Sequence, residues 1–76
     1  MQIYRCEIYT TSAMHSAVLV AHVLAQDVMT AAVMVRKALA EFHVVLHLGG
    51  FTELASSPVQ LSPAEAVKIT RFSAGY

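Results

Sequence analysis

Four histidines, His15, His22, His43 and His47, and a single cysteine, Cys6, are the side chains of this chain with the widest chemistry. Imidazole nitrogens and thiolates are the donors a zinc ion takes, so the first question is whether spacing lets them meet. His43 and His47 enclose Val-Val-Leu, a β-forming triplet, and on a strand rising about 3.3 Å per residue they stand roughly 13 Å apart, too far to share an ion. His15 falls in a polar break. His22 lies in a dense apolar run, where a hydrogen-bonded structural histidine is the expectation. Cys6 sits mid-strand on the presumed core face, and a buried thiol without a neighbouring base is inert. The carboxylates Glu7, Asp27, Glu41, Glu53 and Glu65 are scattered, and Gly49-Gly50 alone makes no phosphate loop. The reading is a chain with no metal, no cofactor and no catalytic residues.

What remains is surface. The chain has 76 residues, of which 57% are hydrophobic and 13% charged, with zero net charge. A domain of this size buries only roughly 60% of the surface its unfolded chain exposes. Its apolar excess is therefore expected at an interface, as a homodimer or against a partner. Nucleic-acid binders carry a basic surplus, and five basic residues against five acidic ones supply none. One cysteine allows no internal disulfide and suits a reducing, cytoplasmic interior. Residues 17–25 have the length of a signal-peptide apolar region, but Glu7 offsets Arg5 ahead of them and the preceding segment reads as strand. A membrane span over 13–35 would bury Asp27 at a cost of about 2.5–3.5 kcal/mol. No membrane association is expected.

The elements that position these surfaces follow from periodicity. Residues 2–10 alternate, with Tyr4, Cys6 and Ile8 on one face and Ile3, Arg5, Glu7 and Tyr9 on the other, which predicts a strand. Residues 16–25 are apolar on both faces, as strands buried on both sides are. A single long helix over 12–42 competes, but the Val-Leu-Val run and Asp27 oppose it. Asp27 instead suits the N-cap of a helix over 27–42, whose core stripe is Val28, Ala32, Val35, Leu39 and Phe42. A third strand follows over 43–54, with Val44, Leu46 and Leu48 inward, His43, Val45 and His47 outward, and a bulge or turn at Gly49-Gly50. Residues 55–65 hold both prolines and read as loop. Ser62-Pro-Ala-Glu65 is a helix-start pattern, yet Val67, Ile69 and Arg71 alternate with Lys68, Thr70 and Phe72, so residues 66–74 are read as a strand. The order ββαβ(β) defines an α+β fold, one helix packed on a mostly antiparallel sheet.

Two surfaces then compete for a role. The sheet face away from the helix carries Arg5, Tyr9, His43 and His47, with Glu7 and Lys68 or Arg71 nearby, a mixture typical of protein interfaces and read here as partner-binding. On the back of the helix, Val33, Met34 and Arg36, beside Met29 and Ala40, form the second, a dimer or partner contact. An RNA-binding sheet would need adjacent stacking aromatics, which are missing.

The strand ending in Ala-Gln-Asp27 and the helix carrying Ala31-Ala32 and Arg36-Lys-Ala-Leu39 give residues 2–48 a layout that resembles small phage- and mobile-element-encoded α+β proteins, anti-CRISPR proteins among them. The resemblance is one of architecture. It implies a non-enzymatic inhibitor that docks on a host defence complex. Many such proteins are strongly acidic DNA mimics; this neutral chain would act by steric or hydrophobic docking. An assembly subunit of a larger complex is the alternative, and a nucleic-acid binder using the open sheet face the weaker one.

Overall fold

Alternation in the first strand and the capped helix together determine the architecture. The computed structural model describes residues 1–10, 17–42 and 45–72. Its elements are β1 (Gln2–Tyr9), β2 (Ala17–Ala25), α1 (Val28–Leu39), β3 (His47–Leu54) and β4 (Val67–Arg71). The strands form one antiparallel sheet in the order β3-β1-β2-β4, so the α+β fold read from the sequence is the one observed. Tyr4, Cys6 and Ile8 of β1 are buried as their alternation requires, opposite Val23, Ala21 and Leu19 of β2. With Ala25 they meet Ala31, Val35 and Leu39 of α1, and Leu48, Phe51, Val67 and Ile69 close the core from the edge strands. Burying one such aliphatic side chain contributes on the order of 2 kcal/mol.

Asp27 caps α1 as its residue type predicts. It is extended, with φ −153° and ψ 172°, and its Oδ1 accepts from the Thr30 amide at 2.7 Å. Arg36 and Lys37 occupy the last turn, where the dipole favours positive charge.

The helix is shorter than expected and slightly rotated. It ends at Leu39; beyond it the Phe42 amide donates to the Leu39 carbonyl at 2.9 Å, a tightened turn that redirects the chain toward β3. The buried stripe is Ala31, Val35 and Leu39, while the expected stripe ends, Val28 and Phe42, are 45% and 43% exposed. Periodicity located the middle of the stripe. Its ends depend on which strand the helix lies over, and α1 packs chiefly on β2, with β4 beside it.

The third strand begins at His47, with Val45 and Leu46 ahead of the ladder, and the part of the expected strand at His43 and Val44 lies outside the described residues. Gly49-Gly50 forms the bulge. Cys6 faces Phe51 and Ile8 faces Leu48, so Glu7 alone spans both glycines and Leu48 and Phe51 both point to the core. β4 covers Val67–Arg71 instead of 66–74, and residues 73–76 lie outside the description. The Ser62–Glu65 signature becomes a turn: the Glu65 amide donates to the Ser62 carbonyl at 3.0 Å, and the Ser62 amide to the Glu65 carbonyl at 3.2 Å. Its capping hydrogen bond forms as well, from the Glu65 amide to Ser62 Oγ at 3.2 Å, with no helix behind it.

Strand order dictates the path of residues 55–66. Leu54 lies opposite Ile3 and Val67 opposite Val23, so the connection joins the two outer strands at one end of the sheet. Three strand spacings amount to roughly 14 Å, much less than this segment can span. The surplus folds over the sheet face away from α1, where Pro58 and Val59 line a cleft with Arg5 and His22. Ser57 Oγ pins the turn, accepting from the Val59 amide at 3.2 Å and donating to the Val59 carbonyl at 2.6 Å. No helix among the described residues is long and apolar enough to cross a membrane.

Candidate functional site

The outer sheet face is built by register. Arg5 of β1 faces Thr52 of β3 on one side and His22 of β2 on the other, and His22 faces Lys68 of β4, so one cross-strand row carries a histidine between two cations. The next row holds Glu7, Val20 and Thr70. Residues directly opposite one another share a face, which is why these side chains project together.

Glu7 is the hub of β1 on this face. Its Oε1 accepts from Arg5 Nη1 at 3.2 Å and its Oε2 from the Tyr9 hydroxyl at 2.8 Å. The Tyr9 hydrogen bond, followed by that of Arg5, holds the Glu7 carboxyl below its usual range, while the same Glu7 bond pushes the Tyr9 phenol up. Tyr9 also faces His47 across the β1–β3 ladder. Of the expected partner-binding residues, the structure thus unites Arg5 and Tyr9 through Glu7 and sets His47 beside them; His43 lies outside the described residues. Arg5, Tyr9 and His47 are half-buried, so the open recognition face expected from the sequence is a partly covered one.

The cover creates a cleft. A cavity of about 730 Å³ is lined by Arg5, Glu7 and His22 on its floor, with Pro58, Val59 and Phe72 among its walls. His22 is 5% exposed, and its Nδ1 is fully buried with no hydrogen-bond partner among the described residues. That corrects the expectation of a satisfied structural histidine. The clue in the sequence was the two-sided apolarity of β2, which requires something to cover the outer face. The covering residues, Pro58 and Val59, had no local signal.

Burial, and after it the charge of Arg5, holds the His22 imidazole below its usual 6.5. Folding therefore favours the neutral ring. As pH falls, the unfolded chain takes up this proton first, so the contribution is fully present above 6.5 and is lost as pH drops from there toward the folded value. Melting temperature is expected to fall between about pH 7 and about pH 5, and to fall less steeply in a His22→Leu variant. Equal slopes in the two proteins would show that another group drives the loss.

Cys6 faces the opposite side. It is fully buried, its Sγ lies 3.5 Å from the carbonyls of Glu7 and Gly49, and burial pushes its thiol up. Among the described residues no three His, Cys, Asp or Glu side chains are placed to hold a metal ion.

On the back of α1 the expected contact residues divide. Val33 is 61% exposed and Arg36 is exposed, but Met34 is half-buried against the core and leaves the patch. Met29, 78% exposed, takes its place one helical turn before Val33. No known protein family, curated protein or solved structure matches this chain.

Proposed function

We propose that the chain is a non-enzymatic protein-binding module whose contact surface is the back of α1. The observation that carries this reading is the ridge of Met29 and Val33, two large apolar side chains presented one turn apart and followed by Arg36 and Lys37. Exposed Val28 lies beside Met29 in the first turn, and Phe42 and Val45 add apolar surface beyond the helix end. Large apolar side chains exposed in this number on so small a domain are a mark of a protein interface. The two cations at the end of the ridge suit an acidic rim on the partner. The sheet's outer face supports this choice by contrast, since Arg5 and Tyr9 are engaged by Glu7.

Within that class, the finer reading is an inhibitor of the anti-CRISPR kind that docks on a host defence complex by shape and apolar contact. Its neutral charge fits that mode. The isolated protein is a homodimer under the same reading, because two copies of the ridge cover each other until a partner displaces one.

The test is Val33→Glu. At an exposed helix position it leaves the chain folded, removes any dependence of the melting temperature on concentration, and abolishes both dimerisation and capture of the partner from host lysate. Light scattering at micromolar concentration yielding 8.2 kDa for the unmodified chain would remove the dimer. Undiminished capture by the variant would remove the ridge. The inhibitor reading is checked by expressing the chain in bacteria with an active CRISPR system; unaltered interference against an invading phage would sink it.

A further inference from the structure

Among the described residues His22 is the buried side chain whose charge can change near neutral pH, and its neighbours are arranged to resist that change. We infer that His22 is an acid-operated latch: when its ring takes up a proton, β4 parts from β2 while the β1–β2 hairpin holds.

A neutral imidazole can leave one nitrogen without a partner at modest cost, but an imidazolium has N–H donors on both nitrogens and a full charge. His22 Nδ1 is fully buried with no hydrogen-bond partner among the described residues, so the protonated ring finds neither acceptor nor water at that atom. The flanking charges add to the penalty. Register sets Arg5 of β1 on one side of His22 and Lys68 of β4 on the other, and Arg71 borders the same cleft. Glu7 is the sole carboxylate in the cleft lining, and its two oxygens are taken by Arg5 and Tyr9. Pro58 and Val59, which approach from the 55–66 connection, bring no charge, and Thr52 of β3, beyond Arg5, is neutral. The proton therefore arrives between two cations with no anion free to meet it.

One of those cations can leave. Arg5 belongs to a strand paired on both sides, whereas Lys68 belongs to a five-residue strand at the rim. Parting β4 from β2 takes Lys68 away and admits water to the ring, whose affinity for a proton returns toward its ordinary 6.5. Burial and Arg5 hold it lower in the closed sheet, so the closed form is favoured above 6.5 and loses ground as pH falls below it. Each pH unit below that point multiplies the opening equilibrium by up to about tenfold, until the closed ring itself titrates. Opening frees the β2 edge and, beside it, Val20, which is buried in the closed sheet.

The experiment is amide hydrogen exchange of the full chain, followed by NMR between about pH 7 and about pH 5 and corrected for the intrinsic pH dependence of exchange. The Leu24 amide donates to the Ala66 carbonyl at 2.8 Å and the Phe72 amide to the Val18 carbonyl at 3.0 Å. Antiparallel alternation then points the Val20 and His22 amides at β4 and the Ala21 and Val23 amides at β1. Protection at Val20, His22, Lys68 and Thr70 should fall by about tenfold over this range, with no change at Ala21 and Val23. In His22→Leu the fall should vanish. Lys68→Met, a second variant that leaves His22 in place, should make the ring titrate at higher pH and lessen the fall. Constant protection at Val20 and His22 would overturn the inference, as would an equal fall at Ala21 and Val23. So would a fall that survives in His22→Leu, or a His22 titration unmoved by Lys68→Met.

Discussion

Leu39→Ala is expected to lower the unfolding free energy by about 2–5 kcal/mol, and Lys37→Ala and Val28→Ala to change it by much less. Leu39 is the last buried side chain of α1 and packs in the core with Val35 and Ala31. Truncation loses the transfer free energy of three carbons and leaves a cavity that the surrounding strands fill only in part. A chain of 76 residues has a total stability of roughly 4–11 kcal/mol, so the loss brings the variant close to its unfolding midpoint in water. Chemical denaturation ranks the three variants directly. If Val28→Ala proved as costly as Leu39→Ala, the helix would be rotated toward the stripe that periodicity alone suggests.

Gly49→Ala is expected to cost about 1–3 kcal/mol, while Gly50→Ala is nearly silent. A Cβ on Gly49 would lie 3.0 Å from the Glu7 carbonyl oxygen and 3.0 Å from Tyr9 Cε1. The tyrosine ring can swing aside, which breaks its bond to Glu7; the carbonyl is main chain of the central strand β1 and yields far less. Gly50 has open space around its Cα. Thermal melts of the two variants separate the claim from a general dislike of alanine at the bulge, since equal losses would show that backbone freedom matters rather than close approach. Phenol absorbance adds a second readout. In Gly49→Ala the Tyr9 hydroxyl should titrate at lower pH, because the Glu7 bond that pushes it up is gone.

The sequence was legible wherever one period had one burial partner. Tyr4, Cys6 and Ile8 alternate against a single core, Asp27 caps because the first amides of any helix need acceptors, and Gly49-Gly50 marks a bulge because at Gly49 a side chain would crowd the Glu7 carbonyl. Legibility failed where the outcome depended on distant chain. Val28 and Phe42 match the helical stripe, yet the position of the sheet leaves them exposed. Met34 looks like a back-face residue until Val67 and Ile69 arrive from β4 to complete the core it joins. At the site, Arg5 and Tyr9 were rightly placed on one face, and β3 proved to adjoin β1, which brings His47 to them. The same face looked open because no local pattern shows that Pro58 and Val59 return across it. The doubly apolar β2 contained that information in coarse form: a central strand with Val20 and His22 buried on one side and Ala21 and Val23 on the other needs two covers.

The strand order has a consequence for how the molecule assembles and opens. β1 and β2 are neighbours in sequence and occupy the centre of the sheet, while β3 and β4, the later strands, form its rims. Loop closure favours the central hairpin first, and each rim strand then docks on a template that already exists. Opening runs in reverse. The five-residue β4 is the shortest rim and, apart from its contact with α1, is held only by its ladder to β2, so it is the natural first unit to detach. Its departure removes Lys68 and Thr70 from around His22, draws Phe72 away after them and opens one wall of the cleft, while the β1–β2 hairpin keeps its amide protons from exchange.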